Sequence, residues 1–310
     1  MKKLKQNKDE FYPVGELVVQ HNKLIEARYR LSLQEKRVVL WLANKIMPND
    51  EEFKSYKLTI TEFAKIAQIQ PNNLYKEMRS ITKKLIQRVL EIRRLDHDDL
   101  LQVSWLSSAF YKYKEGYVSL CFSPALKPYM LQLQKEFTAL RLPDLMGLGS
   151  FSVIRIYELL KQYESIGERN IKIEELRKNC GIEEKEYPLF GNFKQRVLKI
   201  AQREINSKTD INIEYEEIKE SRKVVAIKFI IKKNPNYGKT EFEKDQAEKS
   251  SLVEKELRSA NALTEGIMEF GFSRVAAKRF LQRDSEETVR ATFKSEVQHL
   301  LNFVETPQVA

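Results

Sequence analysis

Apolar and polar positions along this chain follow one order of patterns, and the order occurs twice. Ser32-Leu33-Gln34-Glu35 is a capping box, and Val38, Val39, Leu40, Trp41, Leu42 and Ile46 continue it as a strongly apolar helix. Tyr56 to Ile60 alternates like a short strand, and Thr61 is placed to cap a short helix from Glu62 to Ala67. A longer helical pattern starts at Pro71 and runs to about Leu90, with Leu74, Met78, Ile81 and Leu85 on one stripe. Gln102–Leu106 and Tyr117–Phe122 read as strands joined by a turn at Lys112 to Gly116. The order recurs downstream: an apolar helix from Phe151 to Tyr163, a strand Asn170–Ile173, and a short helix Glu174–Cys180 closed by Gly181. A long helix from Phe190 to Ile205 and alternating strands Asp210–Ile218 and Lys223–Ile231 complete it. Between the copies, Pro124 opens a pattern read as a connecting helix to about Phe137.

The copies align at a spacing of 113 residues. Ile60, Glu62, Lys65 and Ile69 match Ile173, Glu175, Lys178 and Ile182, while Arg37 and Leu42 face Arg155 and Leu160 at slightly longer spacing. Helix, strand, two helices and a β-hairpin make a winged helix-turn-helix, so the pattern predicts an internally duplicated DNA-binding unit. In such a unit the second helix of the turn enters the major groove, and its outer face must carry hydrogen-bond donors. The first copy offers Asn72, Lys76, Arg79, Ser80, Lys83 and Gln87 opposite its apolar stripe. The second offers Gln195, Arg196, Lys199, Gln202 and Arg203 opposite Phe193, Val197, Ile200 and Ala201, with Lys194 near the helix start. Neither set contains an acid. Arg, Asn and Gln can pair two-pronged with base edges, whereas Lys suits phosphate. Lys112, Lys114, Lys219, Arg222 and Lys223 fall in the two wing turns, where they could grip phosphates or merely be solvated.

Charge agrees with a polyanionic partner. The 310 residues carry 54 Lys+Arg and 44 Asp+Glu, a net +10. Residues 1–130 account for +8 and residues 131–234 for +4, while residues 235–310 are net −2. A basic body gains from releasing the counterions condensed on nucleic acid. Two cysteines, Cys121 and Cys180, exclude a disulfide framework and suggest a reducing compartment. No apolar run reaches the roughly 20 residues of a membrane span, and the N-terminus lacks a signal-peptide core, so a cytoplasmic protein is expected. Enzymatic motifs fail one by one. Tyr237-Gly238-Lys239-Thr240 resembles the end of a phosphate-binding loop, but Lys233 stands where that loop requires glycine. The three histidines, His21, His97 and His299, are scattered, so the clustered metal ligands of a nickase are missing; His97-Asp98-Asp99 reads as a solvated turn. No enzyme, cofactor or metal is expected.

The segment Phe190-Gly191-Asn192-Phe193-Lys194-Gln195-Arg196-Val197-Leu198, with Glu204-Ile205-Asn206-Ser207-Lys208-Thr209-Asp210 after it, resembles the replication initiator (Rep) proteins of iteron-containing, theta-replicating plasmids. Val19-Gln20-His21-Asn22-Lys23-Leu24, Arg28 to Arg37 and Ser150 to Leu160 extend the resemblance, which covers about Val18 to Lys233. It implies two winged helices about a pseudo-twofold, monomers that bind directly repeated origin sites on double-stranded DNA, and dimers that repress the chain's own gene. It also implies recruitment of the host replication initiator and helicase. The expected architecture is α+β, mostly helical, with two tandem winged-helix domains. A flexible basic segment 1–17 precedes the first of them, 18–130, for dimerisation and DNA, and the second, 131–234, is the main reader. A charged linker 235–251 and a small helical domain 252–310 follow, and no membrane contact is expected. The predicted DNA-binding residues are Asn72, Lys76, Arg79, Lys83, Lys194, Gln195, Arg196, Lys199, Arg203, Arg222 and Lys223. The alternative from the residues alone is a winged-helix transcriptional regulator without origin activity.

Overall fold

A computed structural model describes residues 16–238 except 48, 69–72, 94–98 and 184. Strand β1 (Leu17–His21) leads into a single helical turn, α1 (Asn22–Ile25), which His21 caps by accepting from Lys23 N on Nδ1. Helix α2 (Leu33–Asn44) begins at the predicted capping box: Ser32 Oγ accepts from Glu35 N, and Glu35 Oε2 accepts from Ser32 N at 2.8 Å. Strand β2 (Tyr56–Thr59) runs straight into α3 (Ile60–Ala67). The cap of α3 is Thr59 rather than Thr61, because Thr59 has a glutamate, Glu62, three residues on to close the box, and Thr61 does not.

Helix α4 (Leu74–Gln87) buries Met78, Ile81 and Leu85 as its periodicity requires. It stops at Gln87, and β3 (Val89–Arg93) pairs antiparallel with β4 (Leu100–Ser104). The buried Trp105 separates β4 from β5 (Leu106–Lys112), and β5, not the Gln102–Leu106 segment, forms the wing with β6 (Tyr117–Phe122). The single strand expected from Gln102 to Leu106 is thus divided between two sheets. The expected connecting helix to Phe137 is corrected as well. After Phe122 come a short 3₁₀ turn and α5 (Lys127–Met130); the chain then turns into β7 (Phe137–Arg141), which pairs along its whole length with β1. Alternation of buried Thr138 and Leu140 with half-exposed neighbours fits a strand, not a helix.

Helix α6 (Leu142–Gly147) and the apolar α7 (Phe151–Lys161) open the second half, followed by β8 (Glu168–Lys172) and α8 (Ile173–Asn179). Gly181 follows with φ +65°, where an added Cβ would lie 3.0 Å from the Phe151 ring and 3.1 Å from Tyr29 O, so glycine is required twice over. Helix α9 (Phe190–Phe193) passes through a π-helical turn (Lys194–Leu198) into α10 (Lys199–Lys208). The hairpin of β9 (Ile211–Glu220) and β10 (Lys223–Lys233) completes the copy.

The duplication is visible in topology. One sheet has the order β2-β6-β5 and the other β8-β10-β9, each with the hairpin's second strand in the middle. Glu16 to Tyr237 belong to one compact unit with a continuous apolar core, in which Val38, Leu40, Leu42, Ile154, Ile156 and Leu160 are almost wholly buried. The two halves meet where α2 packs on α6 and where Lys36 of α2 pairs with Glu158 of α7. Beyond Asn234 the chain turns, and Tyr237 docks back on the first residues of the second half: its hydroxyl donates to Asp144 Oδ1 at 2.5 Å and accepts from Arg141 Nη1 at 2.5 Å. Most of the expected linker and the whole expected helical domain 252–310 lie outside the described residues, as does most of the segment 1–17.

Candidate nucleic-acid interface

Helix α4 is held against its own wing by Thr82 Oγ1 and Tyr111 OH, 2.6 Å apart. Thr82 is buried on the core side, so the opposite side must face out. Lys76, Arg79 and Lys83 do, spaced three and four residues apart on one exposed stripe. None of the three makes an ion pair among the described residues, so their charge is available to an anion. Asn72 lies outside the described residues. Between α4 and β5 runs an open groove of about 850 Å³, lined by Tyr75, Lys76, Arg79, Lys83, Tyr111 and Tyr113. Tyr111 and Tyr113 stack at 5.6 Å with an interplanar angle of 19°. Burial raises the Tyr111 pKa, so it stays a neutral hydroxyl at working pH. The sequence reading missed these tyrosines, because period 3.6 orients a helix face but cannot say which strand lies beside it.

In the second copy, Phe193, Val197, Leu198, Ala201 and Ile205 are buried, while Gln195, Arg196, Lys199 and Arg203 are exposed together. Leu198 would sit well off the apolar stripe of a regular α-helix. The π-helical turn adds a residue and rotates it into the core, leaving Ile200 only partly buried. Gln202, expected on the outer face, is half-buried and donates from Nε2 to Ile213 O at 3.1 Å, so it belongs to the helix–sheet packing. Lys194 is engaged by the wing: its Nζ lies 2.7 Å from Glu217 Oε1, and Glu217 Oε2 lies 3.4 Å from Lys219 Nζ. The Lys194 hydrogen bond holds the Glu217 carboxyl below the usual range. Arg222 and Lys223 are exposed at the tip of the β9–β10 hairpin, where Ser221 takes a left-handed φ of 55°. In the first wing, Lys112 is 3.7 Å from Glu115 and rests over the Phe110 ring.

Among the described residues, the predicted ones fall into three groups: a stripe on α4, a stripe on the α9–α10 helix, and the second wing tip. Among the described residues no cluster of His, Cys, Asp and Glu could hold a metal, and no helix is long and apolar enough to cross a membrane.

Two sheets of identical strand order, each preceded by a helix-turn-helix whose second helix shows solvent a cationic face, define a tandem winged-helix protein. Family models give this class its particular member. Residues 17–161 match the one described as Initiator Replication protein, WH1, and residues 172–231 the one described as Initiator Rep protein, WH2. The chain belongs to this family of replication initiators. Three Escherichia coli proteins are similar to it. One described as an uncharacterized 27.6 kDa protein is 28% identical over 231 residues, covering 70% of this chain and 95% of that one. PI protein is 27% identical over 246 residues, covering 67% and 80%, and a replication initiation protein is 27% identical over 209 residues, covering 64% and 65%. Among solved structures, Pi initiator protein in complex with iteron DNA superposes with a TM-score of 0.58 at 24% identity, covering 71% of this chain and 98% of that one. That match supports the fold.

Proposed function

We propose that this chain initiates plasmid replication by binding repeated sites on double-stranded DNA, with one recognition helix from each winged helix in successive major grooves. The observation that carries the reading is the recurrence, at equivalent places in two copies, of exposed cationic helix faces: Lys76, Arg79 and Lys83 on α4, and Gln195, Arg196, Lys199 and Arg203 on the second helix. Family membership supplies the biological setting, and the relative bound to iteron DNA supports the choice of ligand. Arg196 and Gln195 read bases through two-pronged hydrogen bonds; Lys199, Lys194, Arg222 and Lys223 hold phosphates. The protein acts by binding alone. Contacts to several sites offset the few kcal/mol per step needed to unstack the adjacent duplex, and host initiator and helicase are recruited there. Self-association of a repressing dimer is supported by β5, an edge strand in the order β2-β6-β5, whose Phe110 is 61% exposed.

The test is binding to cognate and random duplexes. Arg196→Ala or Gln195→Ala costs about 1–3 kcal/mol on the cognate site and relaxes base preference there. Lys199→Ala weakens all sequences alike and lowers the salt slope by about one contact. Equal losses on cognate and random DNA for Arg196→Ala and Gln195→Ala remove both from the base-reading role.

A further inference from the structure

The surface between the two winged helices carries more charge than an apolar contact needs. Lys36 on α2 and Glu158 and Arg155 on α7 are each 0% exposed. Lys36 Nζ lies 2.7 Å from Glu158 Oε1 and donates to Tyr29 OH at 2.9 Å. Arg155 Nη1 donates to Glu158 Oε2 at 2.7 Å, while its Nη2 reaches Ile25 O at 2.5 Å and Ala27 O at 3.1 Å in the first half. Its Nε donates to Asn179 O at the end of α8. The duplicate of Arg155 in α2 is Arg37, and it crosses the other way: its Nη2 donates to Met146 O and Leu148 O at 3.3 and 3.4 Å. Each half therefore sends an arginine from the same helix of the repeat into the backbone of the other.

Burying two cations with one carboxylate is a poor route to stability, since apolar side chains of similar volume often do as well or better. What such a cluster supplies is direction. Apolar faces can slide or rotate with small loss, whereas guanidinium bonds to fixed carbonyls cannot. The helices involved carry the recognition helices: α2 packs on α4, and α7 packs on α10. With a lever on the order of 20 Å, two helix layers, a rotation of about 10° at the pin moves a recognition helix by about 3.5 Å, one base-pair step.

We propose that Lys36, Glu158, Arg155 and Arg37 are positioning residues that set the distance and angle between the two recognition helices, and so select the spacing of the two half-contacts in DNA. The inference rests on the two-helix reading of DNA binding given above. The test uses the full chain and the duplex that wild-type protein selects from a random pool of about 30 base pairs, long enough for two helical turns with flanks. Binding is compared on that duplex, on the same duplex with one base pair inserted between the halves, and on one keeping only the half bound by the second winged helix. Wild type loses about tenfold or more on the insertion, the order of one mismatched pair. Arg155→Met and Arg37→Met, which remove the guanidinium bonds to the opposite half's carbonyls and keep most of the side-chain volume, lose less than about threefold on the insertion and bind the isolated half within about twofold of wild type. Cooperative thermal melting certifies each variant, and Arg37→Met, which leaves the Lys36–Glu158–Arg155 cluster intact, decides the matter if Arg155→Met does not fold. Folded variants that retain the full insertion penalty overturn the proposal. A wild-type protein indifferent to the insertion overturns the two-helix reading itself, and the pin with it.

Discussion

Glu217 restrains Lys194 on the second recognition helix and Lys219 on the adjoining wing strand, and its removal is expected to tighten DNA binding. Its oxygens lie 2.7 Å from Lys194 Nζ and 3.4 Å from Lys219 Nζ, and the carboxyl, held low by Lys194, is ionised throughout the working pH range. Each lysine that approaches a phosphate must leave this carboxylate, so its counterion release is partly cancelled within the protein. Glu217→Gln keeps the shape and removes the charge. A newly effective phosphate contact steepens the dependence of log Kd on log salt by about 0.9, which is about 3.5-fold in Kd between 50 and 200 mM salt. With both lysines freed the slope changes by about 1.8 and the factor is roughly twelve. The measurement is fluorescence anisotropy of a labelled duplex across that salt range, on cognate and random sequences. Both sequences gain alike, because phosphate contacts carry no base information. An unchanged slope for Glu217→Gln would refute the placement of Lys194 and Lys219 at the phosphate backbone, and a gain confined to the cognate site would make them base readers instead.

Two further outcomes test the body of the protein. Burial, with Asp210 adding to it, pushes Asp144 up to about 6, against the pull of Tyr237 and Arg141. The folded state therefore holds this proton more tightly than the unfolded chain, so the group's contribution is most favourable at low pH and is lost as pH rises from about 4 to about 6. Relative to Asp144→Asn, wild type should lose about 1–3 kcal/mol across that window, read from urea melts at pH 4.5 and 6.5; parallel pH dependence of the two proteins would contradict it. Gly181→Ala forces a Cβ into the left-handed region against Phe151 and Tyr29 O, and should cost about 2–4 kcal/mol in chemical denaturation.

The internal duplication, the helix-turn-helix order and the outer faces of both recognition helices are local properties, and the sequence alone determined them. Ser32 with Glu35, the stripe Met78-Ile81-Leu85 and Gly181 after α8 act within one or two turns of chain, so spacing is enough to place them. The same holds for Lys76, Arg79, Lys83, Arg196, Lys199 and Arg203, which face out because their neighbours on the helix face in. Tertiary structure decided what depends on partners distant in sequence. Gln102–Leu106 reads as one strand, yet Trp105 divides it between two sheets because its two ends pair with different strands, β3 and β6, that lie far apart in sequence. The pairing of β1 with β7 joins segments about 120 residues apart, which no local period encodes. Gln202 and Lys194 look available on a helical wheel, but β9 passes close enough to bind one by its carbonyl and the other by Glu217. Lys36, Arg155 and Glu158 read as surface charge in any sequence. They are buried because the two halves pack helix to helix at that point, and each then has a partner only the opposite half can provide.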